Sequence, residues 1–269
     1  MFDAQCLNTA TPAAGRHRLP QRRPHRERQA AAEARNFTLY YQPRLTLRHS
    51  WHVATDVTIR WMGRRRGSVS PGSVAGAVEA PELDGVIGGC ILHAACVQAT
   101  RWTEPRSVSV PVAPCQFSER LLSRQIAAAL EESGLPPERL ELGLSEAMLL
   151  SDDLDLLLSL SALRDLGIGI VLEDFGRTYA SLATLRRLPV TALKLDHSLV
   201  RDVPADREAA AMLRAILTAS HAMGLTVIAD GIETEAQRVF LAGCDCDEGM
   251  GPLFSHPLPE SALHAAGHG

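Results

Sequence analysis

The stretch GIGIVLED at residues 167–174, followed by ALKLDHS at 192–198 and TVIADGIE at 226–233, decides the fold. Each is a short apolar run that ends on an acidic residue. Such a run is buried on both faces, which is how a strand inside a parallel sheet behaves. Segments of a different period lie between them. DLDLLLSLSALRDLG (153–167), REAAAMLRAILTASHAMG (207–224) and TEAQRVFLAGC (234–244) repeat apolar residues at the spacing of one helix face. Gly167 and Gly224 stand where those helices should stop, because glycine readily takes the left-handed conformation that closes a helix.

The same rhythm extends outward. FTLYYQP (37–43), WHVATDVTIRW (51–61), SVSVPV (107–112), LELGLSE (140–146) and CDEGMGPLF (246–254) bring the strands to eight. Helical stretches fall at 86–102 and 118–134, the second closed by Gly134. Strands alternating with helices imply an α/β fold with a parallel sheet. Eight such units favour closure into a (β/α)8 TIM-type barrel, with one domain over this length. Only His49 and Ser50 separate the first two strands, so one of them runs antiparallel to the rest.

Composition narrows the function classes. The 269 residues are 46% hydrophobic, enough for one large core. The net charge of −4 gives no overall attraction to nucleic acid or an anionic membrane. No apolar run reaches the roughly 18 residues of a membrane span, and the start, MFDAQCLNTATPAAG, lacks the apolar centre of a signal peptide. None of Cys6, Cys90, Cys96, Cys115, Cys244 and Cys246 forms a CxxC pair. They are expected to be reduced thiols in a cytoplasmic protein, with Cys244 and Cys246 beside a buried strand.

Residues 1–35 differ from the rest. Seven arginines (16, 18, 22, 23, 26, 28 and 35) face three acids (Asp3, Glu27 and Glu33), a net of +4. Almost nothing there is large and apolar, so the segment is expected to be a flexible basic arm ahead of a barrel domain at 36–269. Such an arm is either inert or an electrostatic contact for an acidic partner or nucleic acid.

In barrels of this kind the chemistry sits at the C-terminal ends of the strands. Asp56, Glu146, Glu173, Asp174, Asp196, Asp230 and Glu233 all fall at such ends. Gathering that much negative charge calls for a cation, and oxygen ligands suit a hard divalent ion. Lys194 is the only lysine among 27 Lys and Arg residues, and it stands inside an apolar strand. A compact ammonium there differs physically from an arginine fork.

The strings YYQP (40–43), DVTIRW (56–61), EDFGRTYASL (173–182), LPVTALKLDHSLV (188–200), ADGIETEAQ (229–237) and EGMGPLFSHPLP (248–259) carry a resemblance. From about residue 36 to 260 the chain resembles the EAL domain, the cyclic di-GMP phosphodiesterase barrel of bacterial signalling. The resemblance implies a modified TIM-type barrel with a short antiparallel first strand. It also implies two divalent metals that activate water for attack on a phosphodiester. Asp56 occupies the position of the glutamate in the naming triplet, which here reads DVT. Pro111 replaces a metal-binding asparagine and Gly143 a metal-binding glutamate. Glu173 and Asp174 match the paired aspartates, Lys194 the lysine, and Asp230 the glutamate of the seventh strand.

The expected site therefore has Lys194 and Asp174 as vestigial catalytic groups, and Asp56, Glu173 and Asp230 as vestigial metal ligands. No cofactor is expected, and Mg²⁺ or Mn²⁺ enters only if these three still hold an ion. Gln42, Arg60 and Asp196 match nucleotide-contacting positions, and Glu146 and Glu233 match anchors of the loop after the fifth strand. That loop reads FGRTYASL, and Arg177 is expected to fold onto Glu173 and Asp174 as an internal cation. The resemblance and the altered ligands together imply a degenerate regulator of gene expression, virulence or motility. It would act through a protein partner, in a repressor-type role. The alternatives are a cyclic di-GMP receptor that does not hydrolyse its ligand and a weak metal-dependent phosphodiesterase. Direct DNA binding is not expected, since no helix-turn-helix pattern stands out. A homodimer stays open.

Overall fold

A computed structural model describes residues 37–63, 67–69, 81–113, 116–117, 121–145, 154–177 and 185–266. The basic arm at 1–35 and Glu146 lie outside the described residues. The chain opens on a long hairpin, β1 (Phe37–Thr46) and β2 (His52–Gly63), with Gln42 opposite Asp56 and Arg44 opposite Ala54. β3 (Gly67–Val69) adds antiparallel to β2. Then come α1 (Pro81–Thr100), β4 (Ser107–Pro111), α2 (Leu121–Ser133), β5 (Leu140–Ser145), α3 (Leu154–Asp165) and β6 (Gly169–Phe175). β7 (Ala192–Leu195), α4 (His197–Val200), α5 (Arg207–Ala222), β8 (Thr226–Ala229), α6 (Glu235–Gly243) and β9 (Glu248–Gly249) follow. β10 (Leu258–Pro259) and α7 (Glu260–Ala266) end the described chain.

The strands run β1-β9-β8-β7-β6-β5-β4-β2 around a ring that the β1–β2 pairing closes. The seven from β2 to β9 are mutually parallel, and β1 is antiparallel to both neighbours. β3 and β10 attach outside the ring. They are too short to show a period, and the sequence does not announce them. The last barrel strand is also shorter than CDEGMGPLF suggests. Pairing stops at Gly249, and Gly251 then takes a positive φ with its α-carbon packed against the backbone of Ile232.

Side chains alternate across each strand, so the barrel has two apolar layers. Leu140, Leu142 and Leu144 of β5, Ile170 and Leu172 of β6, and Leu193 and Leu195 of β7 are buried in the main core, which also takes residues from the surrounding helices. The alternate positions point inward. Val171, Ala192 and Ile228 form a second, smaller cluster inside the ring. Cys246 is buried with its thiol against the carbonyls of Val227 and Glu248, at 3.6 Å each, and burial pushes its pKa up. Among the described residues no helix is long and apolar enough to cross a membrane.

Candidate functional site

One step above Ala192 on β7, the inward position is Lys194, and it is buried. Its Nζ donates to Asp56 Oδ2 at 2.5 Å and to Glu173 Oε1 at 2.6 Å. Asp56 projects from β2 and Glu173 from β6, so the ammonium ties one side of the ring to the other. Burial alone would lower the lysine pKa, but Asp56, Glu173 and Asp230 outweigh it and hold the group charged. Burial would likewise raise Asp56. Lys194 and Arg44 reverse that and keep it below the usual carboxylate range. Asp230 receives less help, and burial raises its pKa despite Lys194.

The position of Glu173 is linked to Gly143 on the adjacent strand. Ser145 is the register partner of Glu173, and Gly143 lies one inward step below it. A Cβ at Gly143 would stand 2.5 Å from the Glu173 carboxyl carbon. The longer side chain at 173 thus lies in the space that a side chain at 143 would need. Next to Gly143 is Pro111, which carries no side-chain oxygen. At the level of Pro111 and Gly143 the wall made by β4 and β5 therefore presents no side-chain oxygen, and the carboxylates around Lys194 come from β2, β6 and beyond β8.

A residue that sequence reasoning passed over lies beneath. Arg44 is 1% exposed, among the largest fully buried side chains. It hydrogen-bonds Glu141, approaches Glu248 at 2.9 Å through Nε, and lies 3.8 Å from Asp56 Oδ1 through Nη1. The signal was parity: Arg44 is two residues from Gln42 on one strand and must share its face. Burial pushes the Glu248 pKa up to about 7 even though the Arg44 guanidinium opposes it.

The other expected residues spread around the rim. Gln42 donates its amide to the Ser255 carbonyl at 2.9 Å. The Arg60 guanidinium sits 4.2 Å above the Tyr40 ring. Asp196 caps α4 by accepting from Ser198 N at 2.9 Å. Burial would raise its pKa, but the Ser198 bonds and His197 lower it. Asp174 departs from Lys194. Its backbone has φ 58°, a left-handed conformation rare outside glycine, and its side chain is half exposed. Arg177 follows it outward, 69% exposed, with Nη1 3.9 Å from Asp174 and no ion pair to Glu173. The expected internal cation at Arg177 thus reaches Asp174 but is corrected for Glu173: the turn at Asp174 carries Arg177 outward with it, and Lys194 neutralises Glu173 instead. Glu233 is exposed just ahead of α6, its backbone N–H bonded to Gln237 Oε1 at 2.8 Å. Among the described residues, no three His, Cys, Asp or Glu side chains are arranged to share one ion.

Comparison with known proteins points one way. The model for the family described as the EAL domain matches residues 25–257. The bifunctional diguanylate cyclase/cyclic di-GMP phosphodiesterase MucR of Pseudomonas aeruginosa is 31% identical over 240 residues, 88% of this chain and 35% of MucR. The cyclic di-GMP phosphodiesterase NbdA of the same organism is 33% identical over 229 residues, 84% of this chain and 29% of NbdA. An uncharacterized protein, y4lL of Sinorhizobium fredii, is 34% identical over 225 residues, 84% of this chain and 27% of y4lL. The chain thus spans only 27% to 35% of these relatives. Among solved structures, the PaMucR phosphodiesterase in its c-di-GMP complex superposes with a TM-score of 0.82 at 30% identity, covering 89% of this chain and 98% of that one.

Proposed function

The chain belongs to the EAL domain family, and on that premise we propose that its barrel is a degenerate member, a regulator in cyclic di-GMP signalling that does not hydrolyse the nucleotide. One observation carries the reading. The Glu173 carboxylate lies over Gly143 and is bonded to Lys194, so Pro111 and Gly143 leave their level of the β4–β5 wall without a ligand, and Asp56 and Glu173 are already paired with the lysine. Two-metal hydrolysis needs several oxygen ligands held to within about half an ångström. Pro111 and Gly143 supply none, and Lys194 stands between Asp56 and Glu173. The residues present do not fit a pair of divalent ions.

A regulator of this kind works by contact. Gln42 and Asp196 are engaged with Ser255 and Ser198, which favours a role directed at a protein partner in the cytoplasm over one directed at the nucleotide. Control of gene expression, virulence or motility, in a repressor-type role, is the setting we assign. Arg60 supports a second reading, a receptor that binds cyclic di-GMP unchanged, because its guanidinium is held over Tyr40 in a form suited to phosphate.

Two measurements test these readings. Purified protein with Mg²⁺ or Mn²⁺ is expected to leave cyclic di-GMP intact, and hydrolysis that Lys194→Ala abolishes would overturn the degenerate reading. Calorimetric titration with cyclic di-GMP separates the other two. Binding at about micromolar affinity or tighter selects the receptor, and its absence selects the partner-directed regulator.

A further inference from the structure

Lys194 accounts for the mouth of the barrel but not for Arg44 below it. A fully buried arginine is costly unless charges and hydrogen bonds offset its desolvation. Arg44 is surrounded by three acids from three strands: Asp56 of β2, Glu141 of β5 and Glu248 of β9. The match is incomplete. Glu248 Oε2 is 2.9 Å from Nε, yet that N–H is not aligned to donate. Arg44 Nε and Nη1, Asp56 Oδ1 and Ser109 Oγ are all buried without a hydrogen-bond partner. Ser109 is the register partner of both Asp56 and Glu141, which places its hydroxyl on the same inward face.

Three carboxylates and a hydroxyl from four strands, β2, β4, β5 and β9, make a hard-oxygen donor set. A planar guanidinium satisfies such a set poorly, because its five donors lie in one plane while the oxygens surround it. We propose that Arg44 is a built-in cation, and that removing it uncovers a site for a hard divalent ion formed by Asp56, Ser109, Glu141 and Glu248. With the guanidinium in place these oxygens stand around it rather than meet at one point. The ring is thereby folded and neutralised without an added ion. This inference rests on the metal-independent reading of the barrel mouth given above.

Thermal unfolding of the full chain in EDTA and in millimolar Mn²⁺ tests it, with Arg44→Met beside wild type. Arg48→Met is the control, an exposed arginine four residues along that pairs with Asp245. Wild type and Arg48→Met are expected to unfold at the same temperature in both buffers. Arg44→Met should be destabilised in EDTA and regain about 5–10 °C in Mn²⁺, the size of the shift for an ion present well above its dissociation constant. Adding Glu248→Gln to that variant should cut the regain. If Arg44→Met proves insoluble, refolding decides: recovery in Mn²⁺ and not in EDTA upholds the site. Indifference of Arg44→Met to Mn²⁺, or equal insolubility in both buffers, overturns it. A wild-type response to Mn²⁺ would instead defeat the metal-independent reading of the mouth. The Arg44 site is judged separately, on how far the variant exceeds wild type.

Discussion

The two walls inside the ring are built differently. Beside and below Lys194, the inward positions of β6, β7 and β8 are Val171, Ala192 and Ile228, a buried apolar plug. Around the rest of the ring, β1, β4, β5 and β9 contribute Arg44, Ser109, Glu141 and Glu248. Asp56 joins the two, bonded through Oδ2 to Lys194 and facing Arg44 through Oδ1. The apolar wall supports a single cation at the mouth from below. The ionic wall must carry its own charge balance, and it does so imperfectly. The contrast shows where the barrel is robust and where it depends on particular side chains.

The largest effect is expected at the junction. Lys194→Met leaves Asp56 and Glu173 facing each other in the interior without their shared cation. Breaking a buried ion pair by removing one partner costs about 3–5 kcal/mol. Chemical denaturation should show that loss, and adding Glu173→Gln should restore part of it. A Lys194→Met protein as stable as wild type would mean that the carboxylates find water and that the mouth is wetter than its burial indicates.

The ionic wall predicts a pH dependence that the apolar wall lacks. The Glu248 pKa stands at about 7 in the folded chain against an ordinary 4.5. A raised folded-state pKa gives a contribution that is complete below pH 4.5 and disappears as pH climbs through 7. Wild type should therefore lose about 1–3 kcal/mol between those limits through this group. Glu248→Gln should flatten that slope, whatever it does to the absolute stability. Identical slopes for the two proteins in denaturation series across that range would show that Glu248 titrates normally.

This asymmetry also explains what the sequence discloses. The apolar runs of β5 to β8 are long enough to be recognised by composition alone, and the expected helices begin and end within a few residues of those observed. Lys194 stands out as the only lysine, inside ALKLD. Arg44 does not, because RLTLRHS alternates polar and apolar residues and suggests a strand with one face in solvent. Only the closing of the ring turns that face inward, and closure is a property of the whole chain. The orientation of Asp174 is hidden for a similar reason. Its acid is visible in the sequence, but the left-handed turn that points it away from Lys194 is not.

A smaller effect tests the link between Gly143 and Glu173. Gly143→Ala should cost about 1–2 kcal/mol through crowding against the Glu173 carboxylate. The same change made in a Glu173→Ala background should cost much less, and the double-mutant cycle measures the difference. Additive costs would show that Glu173 does not occupy that space in solution.

The smallest effect expected is at Arg177, and it is informative because it is small. Its guanidinium is 69% exposed, and its ion pair with Asp174 is long, at 3.9 Å. An exposed ion pair of this kind contributes at most a few tenths of a kcal/mol, and salt screens it further. Arg177→Gln should therefore leave the denaturation midpoint almost unchanged, and the change should not grow at low ionic strength beyond that range. If it instead destabilises the chain as Lys194→Met does, the outward turn at Asp174 is not kept in solution. Arg177 would then share the neutralisation of the mouth, and the division between a plugged wall and an ionic wall would no longer set where the barrel needs its cations.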